Sequence, residues 1–262
     1  MLRGIYTSSS GMLADQRRLD VVANNLANVT TTGFKRETTV SKTFPELLVH
    51  RVNDQDAAGR TIAPTAIGRM GIGTFLVSTS ARLTTGSLQQ TGNPLDVALA
   101  GDGFFAVRTP QGIRYTRQGS FVQNAEGTLV TPQGHPVLVN GSPVTAAQGR
   151  LTINNRGEVL EGDRVRGQLT VATTQQLGAV RKEGDGLWAQ AGAAEASTLV
   201  LPFESTGRYE LKVGYLEGSN VEAVTEMVEM METMRSFEAN QRALQVQDET
   251  LGRAVTEIAR IG

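Results

Sequence analysis

The two ends of this chain differ from its middle in the spacing of their apolar residues, and this difference limits the folds that the chain can adopt. From about residue 2 to residue 28, apolar residues recur every seven positions, as Ile5, Met12, Leu19 and Leu26. Such a repeat is typical of a helix that packs against another helix along one narrow stripe. The Thr-rich segment that follows Asn28, closed by Gly33, predicts the end of this helix.

The C-terminal segment predicts a second and longer helix. Glycine almost disappears after Gly218, and Ser219 with Glu222 forms the spacing of a capping box. A helix from Ser219 to Arg260 would be on the order of 60 Å long, which is more than a small domain needs. Its apolar stripe, interrupted by two polar residues, consists of Val221, Val224, Val228, Met231, Met234, Phe237, Leu244, Leu251, Val255 and Ile258.

The middle of the chain has the pattern of a β domain. Between about residues 95 and 215, turn residues recur roughly every ten positions and short apolar runs separate them. The expected core strands are 104–107, 129–131, 151–153 and 169–171. The predicted fold class is therefore α+β, with terminal helices at 1–34 and 219–262 that form a coiled-coil domain. They enclose an extended, strand-containing connector at 35–94 and a sandwich- or barrel-like β domain at 95–218.

Composition excludes several functional classes. The formal net charge is −1, which gives no general attraction to nucleic acid. The chain has no cysteine, and its two histidines, His50 and His135, lie far apart, so a metal site is not expected. No segment is apolar enough for a membrane helix, and the N-terminus lacks the features of a cleaved signal peptide.

Enzymatic activity is also not expected. Asp96 with Asp102, or Glu161 with Asp163, could be read as paired catalytic carboxylates, but no histidine, lysine or nucleophile stands near them in sequence. Both pairs lie in turn-like contexts, where aspartate and glycine are common for conformational reasons. The sequence therefore predicts neither catalytic residues nor a cofactor.

One stretch of the chain resembles a known family signature. The run ANNLANVTTTGFK at residues 23–35 is similar to the N-terminal signature of bacterial flagellar rod and hook proteins. The stretches 92–105, 115–121 and 216–221 resemble further parts of these proteins in the same order and spacing. The resemblance therefore covers essentially the whole chain.

This resemblance implies a structural subunit of the flagellar basal body. Such a subunit crosses the cytoplasmic membrane through the flagellar export apparatus, without a cleaved signal peptide. Its terminal helices would pack as coiled coils inside a helical tube, with the β domain outward. The implied partners are copies of itself and the adjacent rod and hook proteins. Length favours a rod protein over a hook protein. The distal and proximal rod types both stay open, because 24–29 suits the first and 230–238 the second.

The terminal stripes and the signature supply the expected assembly residues. Asn24, Asn25 and Asn28 have two readings, as a recognition patch and as a helix cap. The methionines around Met231 also have two interpretations: they could form an adaptable interface, or they could belong to the internal core. The full expected interface is Ile5, Met12, Leu19, Asn24, Asn25, Leu26, Asn28, Ser219, Asn220, Val221, Met227, Met231, Met234, Phe237, Leu244, Leu251, Val255 and Ile258.

The C-terminal stripe is longer than the N-terminal helix can cover. Its surplus, at 227–237 and 244–258, is where neighbouring subunits are expected to bind. Two alternatives use the same features: a secreted binding module on a coiled-coil stalk, and a polysaccharide hydrolase. The stalk model requires that the terminal helices of several chains form a small closed bundle. The hydrolase model requires two carboxylates that converge in a cleft.

Overall fold

A computed structural model describes residues 2–51, 65–147, 149–173, 180–190 and 209–261 of the chain. Two long helices, α1 (Leu2–Ala27) and α2 (Ala223–Ile261), flank many short antiparallel strands, so the fold class is α+β as predicted. In the described part of the chain, neither helix is apolar enough over a sufficient length to cross a membrane.

The strands are short and follow one another closely. The first are β1 (Glu37–Thr43), β2 (Leu47–Arg51), β3 (Thr65–Met70), β4 (Thr74–Ala81), β5 (Leu88–Gln90), β6 (Val97–Gly101), β7 (Phe104–Thr109) and β8 (Gly112–Thr116). They continue with β9 (Val122–Gln123), β10 (Leu129–Val130), β11 (Leu138–Val139), β12 (Ser142–Pro143), β13 (Leu151–Ile153) and β14 (Glu158–Glu161). The last are β15 (Arg164–Gln168), β16 (Val171–Ala172), β17 (Val180–Gly184), β18 (Leu187–Gln190), β19 (Tyr209–Val213) and β20 (Tyr215–Glu217).

The chain forms two compact units. We call the first the helical unit; it comprises Met1–Leu26, Glu37–Ala81 and Ala223–Gly262. The second, the β unit, comprises Ala27–Arg36 and Arg82–Glu222. The segment predicted as a separate connector, 35–94, is divided between them. Strands β1 to β4 pair among themselves within the helical unit, whereas β5 pairs with β20 of the β unit.

In the helical unit, α1 and α2 run antiparallel. Gly4 meets Gln247, Gly11 meets Asn240, and Arg18 forms an ion pair with Glu229. The residue numbers of the partners on α2 thus decrease as the residue numbers on α1 increase. Strands β1 and β4 form one antiparallel ribbon of this unit, and β2 and β3 form another.

The β unit has its core between short sheets. Its largest sheet is five-stranded and antiparallel, in the order β16–β7–β8–β18–β17. The expected core strands at 104–107, 129–131 and 151–153 coincide with β7, β10 and β13, and Val171 begins β16. The buried apolar cluster comprises Val97, Leu99, Phe105, Val107, Phe121, Leu129, Val137, Val139, Val144, Ala146, Leu151, Ile153, Val159, Leu169, Val171 and Leu211.

Helix α2 begins later than its capping signal suggests. The sequence predicts a start at Ser219, but the helix begins at Ala223. The Ser219 hydroxyl accepts a hydrogen bond from the Val221 amide at 3.2 Å. Gly218 and Asn220 instead hydrogen-bond to other segments of the β unit, with the Gly218 amide on the Ser87 carbonyl at 2.7 Å. The predicted capping box is therefore wrong, because these contacts hold the segment outside the helix.

Candidate assembly surface

Three charged side chains that are far apart in sequence meet inside the β unit. We call Lys35, Arg117 and Glu217 the buried charge cluster. Lys35 Nζ lies 2.5 Å from Glu217 Oε1, and Arg117 Nη1 lies 3.4 Å from Glu217 Oε2. Each side chain is at most 1% exposed. Full burial of charges is tolerated only when they are paired and hydrogen-bonded, so this cluster requires all three members.

Backbone groups add further hydrogen bonds to the cluster, although the buried Nε of Arg117 has no partner among the described residues. Lys35 Nζ donates to the Thr84 carbonyl at 2.8 Å, and Arg117 donates to the carbonyls of Leu99 and Gly101 at 3.0 and 2.6 Å. Glu217 Oε1 also accepts a hydrogen bond from the Gly86 amide at 3.0 Å. The charges therefore bind four backbone groups, which belong to the segments 84–86 and 99–101.

Burial changes the protonation equilibria of both cations. It lowers the pKa of Lys35 below 10.5 because the ammonium loses its water, while Glu217 opposes this change and Arg117 reinforces it. Burial likewise lowers the pKa of Arg117, against the attraction of Glu217 and Asp102. Glu217 is thus the anion on which two desolvated cations depend.

The signature has a glycine, Gly33, two residues before Lys35, and the backbone conformation at this position requires it. Its φ is +67°, and a Cβ at this position would lie 2.6 Å from the backbone carbonyl carbon of Arg117. Its amide donates to the Glu217 carbonyl at 2.7 Å. A side chain here would be strained and would also push the signature away from the charge cluster.

Asn220 adds polar contacts beside the cluster. Its Oδ1 accepts from the Arg36 amide at 2.7 Å, and its Nδ2 donates to the carbonyls of Arg82 and Thr84 at 2.9 and 3.1 Å. We call the three segments 33–36, 82–86 and 217–220 the junction. It holds the points where the chain enters and leaves the β unit side by side.

The three asparagines of the signature have separate environments. Asn25 is buried in the helical unit, where its Nδ2 donates to the Glu37 carbonyl at 2.8 Å and to Glu226 Oε2 at 3.1 Å. Its Oδ1 accepts from the Glu37 amide at 2.9 Å. Asn24 is exposed, and Asn28 accepts a hydrogen bond from Thr31 in the turn after α1. Asn25 therefore fixes the start of β1 against both helices.

The face of α1 that meets α2 is small and polar. Contacts with α2 are made by Gly4, Gly11, Asp15, Arg18 and Asn25, and the same side of α1 carries the buried residues Ser8 and Val22. The Asp15 carboxylate accepts from Ser236 at 2.8 Å and from Asn240 at 3.1 Å. The expected stripe lies one position further along, and Ile5, Met12, Leu19 and Leu26 are only partly buried.

Large apolar side chains instead lie exposed on the outer faces of both helices. On α1, Tyr6 is 71% and Leu13 is 61% exposed. On α2, Met227, Met231 and Met234 are each about half exposed. We call these three residues the methionine face. Val224 and Val228 lie beside it and are also exposed.

The other expected interface residues fall into distinct groups. Phe237, Leu244 and Leu251 are partly buried, and Val255 is exposed. Ser219, Asn220 and Val221 belong to the β unit rather than to the helix. The side chain of Ile258 lies outside the described residues.

Sequence reasoning missed the charge cluster, Tyr6 and Leu13. Lys35 and Glu217 both lie in stretches that carry the family resemblance, which was the available signal. Tyr6 and Leu13 are seven residues apart like the expected stripe, so the repeat alone does not distinguish the two sets.

Comparison with known proteins places this arrangement in a family. Family models match residues 5–35 (flagella basal body rod protein), 98–161 (flagellar hook protein FlgE/F/G D1 domain) and 212–257 (flagellar basal body rod FlgEFG protein C-terminal). The flagellar hook-basal body complex protein FlhO of Bacillus subtilis is 32% identical over all of both chains. The flagellar basal-body rod protein FlgG of the same organism is 35% identical over 96% of this chain and 97% of its own. FlgG of Agrobacterium fabrum is 35% identical over 95% and 96% of the two chains.

The chain belongs to the flagellar basal-body rod protein family. The resemblance that the signature indicated is confirmed. This rod protein is a structural subunit, not an enzyme, as its family shows. Each of the three matched segments contributes one member of the buried charge cluster: Lys35, Arg117 and Glu217.

Replacement of Glu217 by glutamine tests the charge cluster. Glu217→Gln keeps the side-chain shape but removes the carboxylate that pairs with both buried cations. We expect the free energy of unfolding of the β unit to fall by about 3–5 kcal/mol. Urea denaturation followed by Trp188 fluorescence measures this, since Trp188 is the single tryptophan and is buried in β18.

The matched control for this measurement is Arg181→Gln. Arg181 pairs with Glu183 at 3.2 Å on the surface of the same unit. An exposed pair of this kind contributes about 0–1 kcal/mol. Equal destabilisation by the two variants would contradict a special role of the cluster.

Asn25→Ala tests the link between the helices and β1. Loss of the amide removes one buried and two partly buried hydrogen bonds, so we expect a destabilisation of about 1–3 kcal/mol. Thermal unfolding of the helices, followed by circular dichroism, measures it. Gln16→Ala, at an exposed position of the same helix, should be close to neutral, and an equal effect of both variants would refute the assignment.

Proposed function

We propose that this rod protein assembles with copies of itself into an open-ended helical polymer through the outer faces of α1 and α2. The observation that carries the proposal is the distribution of polarity on the helix pair. Polar and small residues occupy the contact between the helices, while Tyr6, Leu13 and the methionine face lie exposed. Exposed apolar faces of this kind indicate a surface that another protein covers.

Burial of these faces would contribute favourable free energy to assembly. At about 25 cal/mol per Å² of apolar area, an interface of roughly 1,000 Å² would contribute on the order of 25 kcal/mol before opposing costs. Lost translational, rotational and side-chain freedom offsets much of this contribution. Methionine side chains adapt readily to a neighbouring surface.

The ribbons of the helical unit present a further apolar surface. Leu47, Leu48 and Ile67 of the β2–β3 ribbon are exposed. A two-stranded ribbon is marginally stable alone in water, so contact with a neighbour would stabilise it. This surface supports the same conclusion as the helices without depending on them.

The proposal extends to partners and to the export route. Relatives are named as components of the basal-body rod and of the hook-basal body complex. We infer that this chain contacts adjacent rod and hook proteins at the ends of its own segment of the polymer. We also propose that it leaves the cytoplasm through the flagellar export apparatus, without a cleaved signal peptide.

A charged residue within the methionine face tests the assembly proposal. Met231→Glu would place an unpaired carboxylate in the buried interface, which costs several kcal/mol. We therefore expect the critical concentration for polymerisation to rise by at least about tenfold. Sedimentation of the purified protein measures this, and motility of cells that carry the variant provides a second readout.

Ala239→Glu is the matched control, because Ala239 is exposed on α2 away from the methionine face. It should polymerise like the wild type. Wild-type polymerisation by Met231→Glu would contradict the proposal. A small closed oligomer of the wild-type chain would support the stalk-bearing binding module instead.

A further inference from the structure

Methionine is concentrated in one short stretch of α2. Four of the seven methionines of the chain, Met227, Met230, Met231 and Met234, lie within eight consecutive residues. Spacings of four and three residues place Met227, Met231 and Met234 on the same side of an α-helix. The methionine face therefore gathers three thioether side chains within about 10 Å along the helix axis.

The methionine face also holds the most accessible thioethers among the described residues. Each of its three side chains is about half exposed. The other described methionines, Met12, Met70 and Met230, are partly buried. The chain has no cysteine, so no thiol of its own competes for an oxidant. An oxidant that reaches the free chain is therefore expected to react with the methionine face before the other described methionines.

We propose that the methionine face is a site of reversible oxidation by peroxides, and that the oxidised chain does not join the polymer. This proposal rests on the proposed function and specifies how that function is regulated. It concerns the chemistry of the three sulfur atoms and requires no particular partner for them in the polymer.

The reaction adds one oxygen atom to each sulfur. The thioether sulfur attacks one oxygen of hydrogen peroxide with a lone pair, the O–O bond breaks, and water leaves after proton transfer. The product is methionine sulfoxide, in which sulfur has lost two electrons and the peroxide has gained them. Methionine sulfoxide reductases of types A and B restore the thioether, one type for each epimer. Oxidation of this site is therefore reversible.

Oxidation changes the polarity of the methionine face. The sulfoxide is a polar hydrogen-bond acceptor, whereas the thioether is flexible and largely apolar. In the free chain, water hydrates the new oxygen atoms because the side chains are half exposed. A neighbour that covers the face would remove this water, and burial of a polar group without a hydrogen-bond partner is unfavourable. Oxidation therefore weakens assembly more than it weakens the fold of the chain.

The time of exposure to peroxide determines the outcome. Before assembly, the three sulfur atoms are accessible and oxidation prevents the chain from joining. In the polymer, a neighbour covers the face and shields it from the oxidant. The site therefore controls the addition of new copies rather than the survival of a finished polymer.

Peroxide treatment of the purified full-length chain tests the proposal. Catalase removes the remaining hydrogen peroxide before assembly, and mass spectrometry of peptides locates the sulfoxides. We expect Met227, Met231 and Met234 to oxidise several-fold faster than Met70. The critical concentration for polymerisation should rise by at least about tenfold. Both reductases together should return it to the value of the untreated chain.

Two results of this treatment would overturn the proposal. Oxidation of Met70 at the same rate as the methionine face, or faster, would contradict the assignment of the site. A rise in critical concentration that the reductases do not reverse would contradict reversible regulation, since it would indicate damage elsewhere in the chain.

Leucine variants locate the effect, because leucine is apolar and does not form a sulfoxide. Each variant is compared with its own untreated sample. Peroxide should not change the critical concentration of the triple variant Met227→Leu, Met231→Leu and Met234→Leu. Met70→Leu is the matched control and should stay as sensitive to peroxide as the wild-type chain. Equal sensitivity of the triple variant and the control would overturn the proposal.

Oxidation of the preformed polymer separates this proposal from the proposed function. The methionine face should oxidise much more slowly in the polymer than in the free chain. Equal rates would contradict burial of the face and, with it, the proposed function. Unchanged polymerisation of the oxidised chain, together with a shielded face in the polymer, would overturn the oxidation proposal alone. Failure of the untreated wild-type chain to polymerise would refute both.

Discussion

The arrangement of this rod protein depends on one carboxylate, Glu217, held between two buried cations. Desolvation of each charge is costly, and the cost is recovered only when Lys35, Arg117 and Glu217 meet with their backbone partners. The three residues come from the segment after α1, from the β core and from the segment before α2. The cluster therefore forms only when the β unit closes, and it fixes where the chain enters and leaves that unit. The amide of Gly33 and the side chain of Asn220 extend this constraint to the neighbouring backbone.

The helical unit distributes polarity in the opposite way from an ordinary monomeric helix pair. Gly4, Gly11 and Asp15 meet α2 through close approach and hydrogen bonds, whereas the larger apolar residues remain outside. A polar contact of this kind gives specificity of register more than stability. The isolated chain consequently leaves apolar area in water, and assembly removes it. The same two helices thus determine both the stability of the monomer and its tendency to assemble.

Periodicity predicted the helices and the β-rich middle correctly, because both depend on local patterns. Periodicity did not predict which side of α1 contacts α2. The expected residue Ile5 and the observed residue Gly4 are adjacent, and the seven-residue spacing fits both. The contact between Lys35 and Glu217 spans 182 positions and leaves no local pattern. Likewise, the predicted connector was divided because β1 and β5 pair with strands that only the folded chain brings together.

Hydrogen exchange of the junction amides tests most directly whether Glu217 holds this arrangement together. The amides of Gly33, Arg36 and Gly86 bond to Glu217 or Asn220. In the native wild-type protein they should exchange slowly and with one common opening free energy. In Glu217→Gln all three should exchange at least about 100-fold faster, as expected for a loss of 3 kcal/mol or more. Unrelated rates in the wild type, or unchanged protection in the variant, would contradict a central role of the charge cluster.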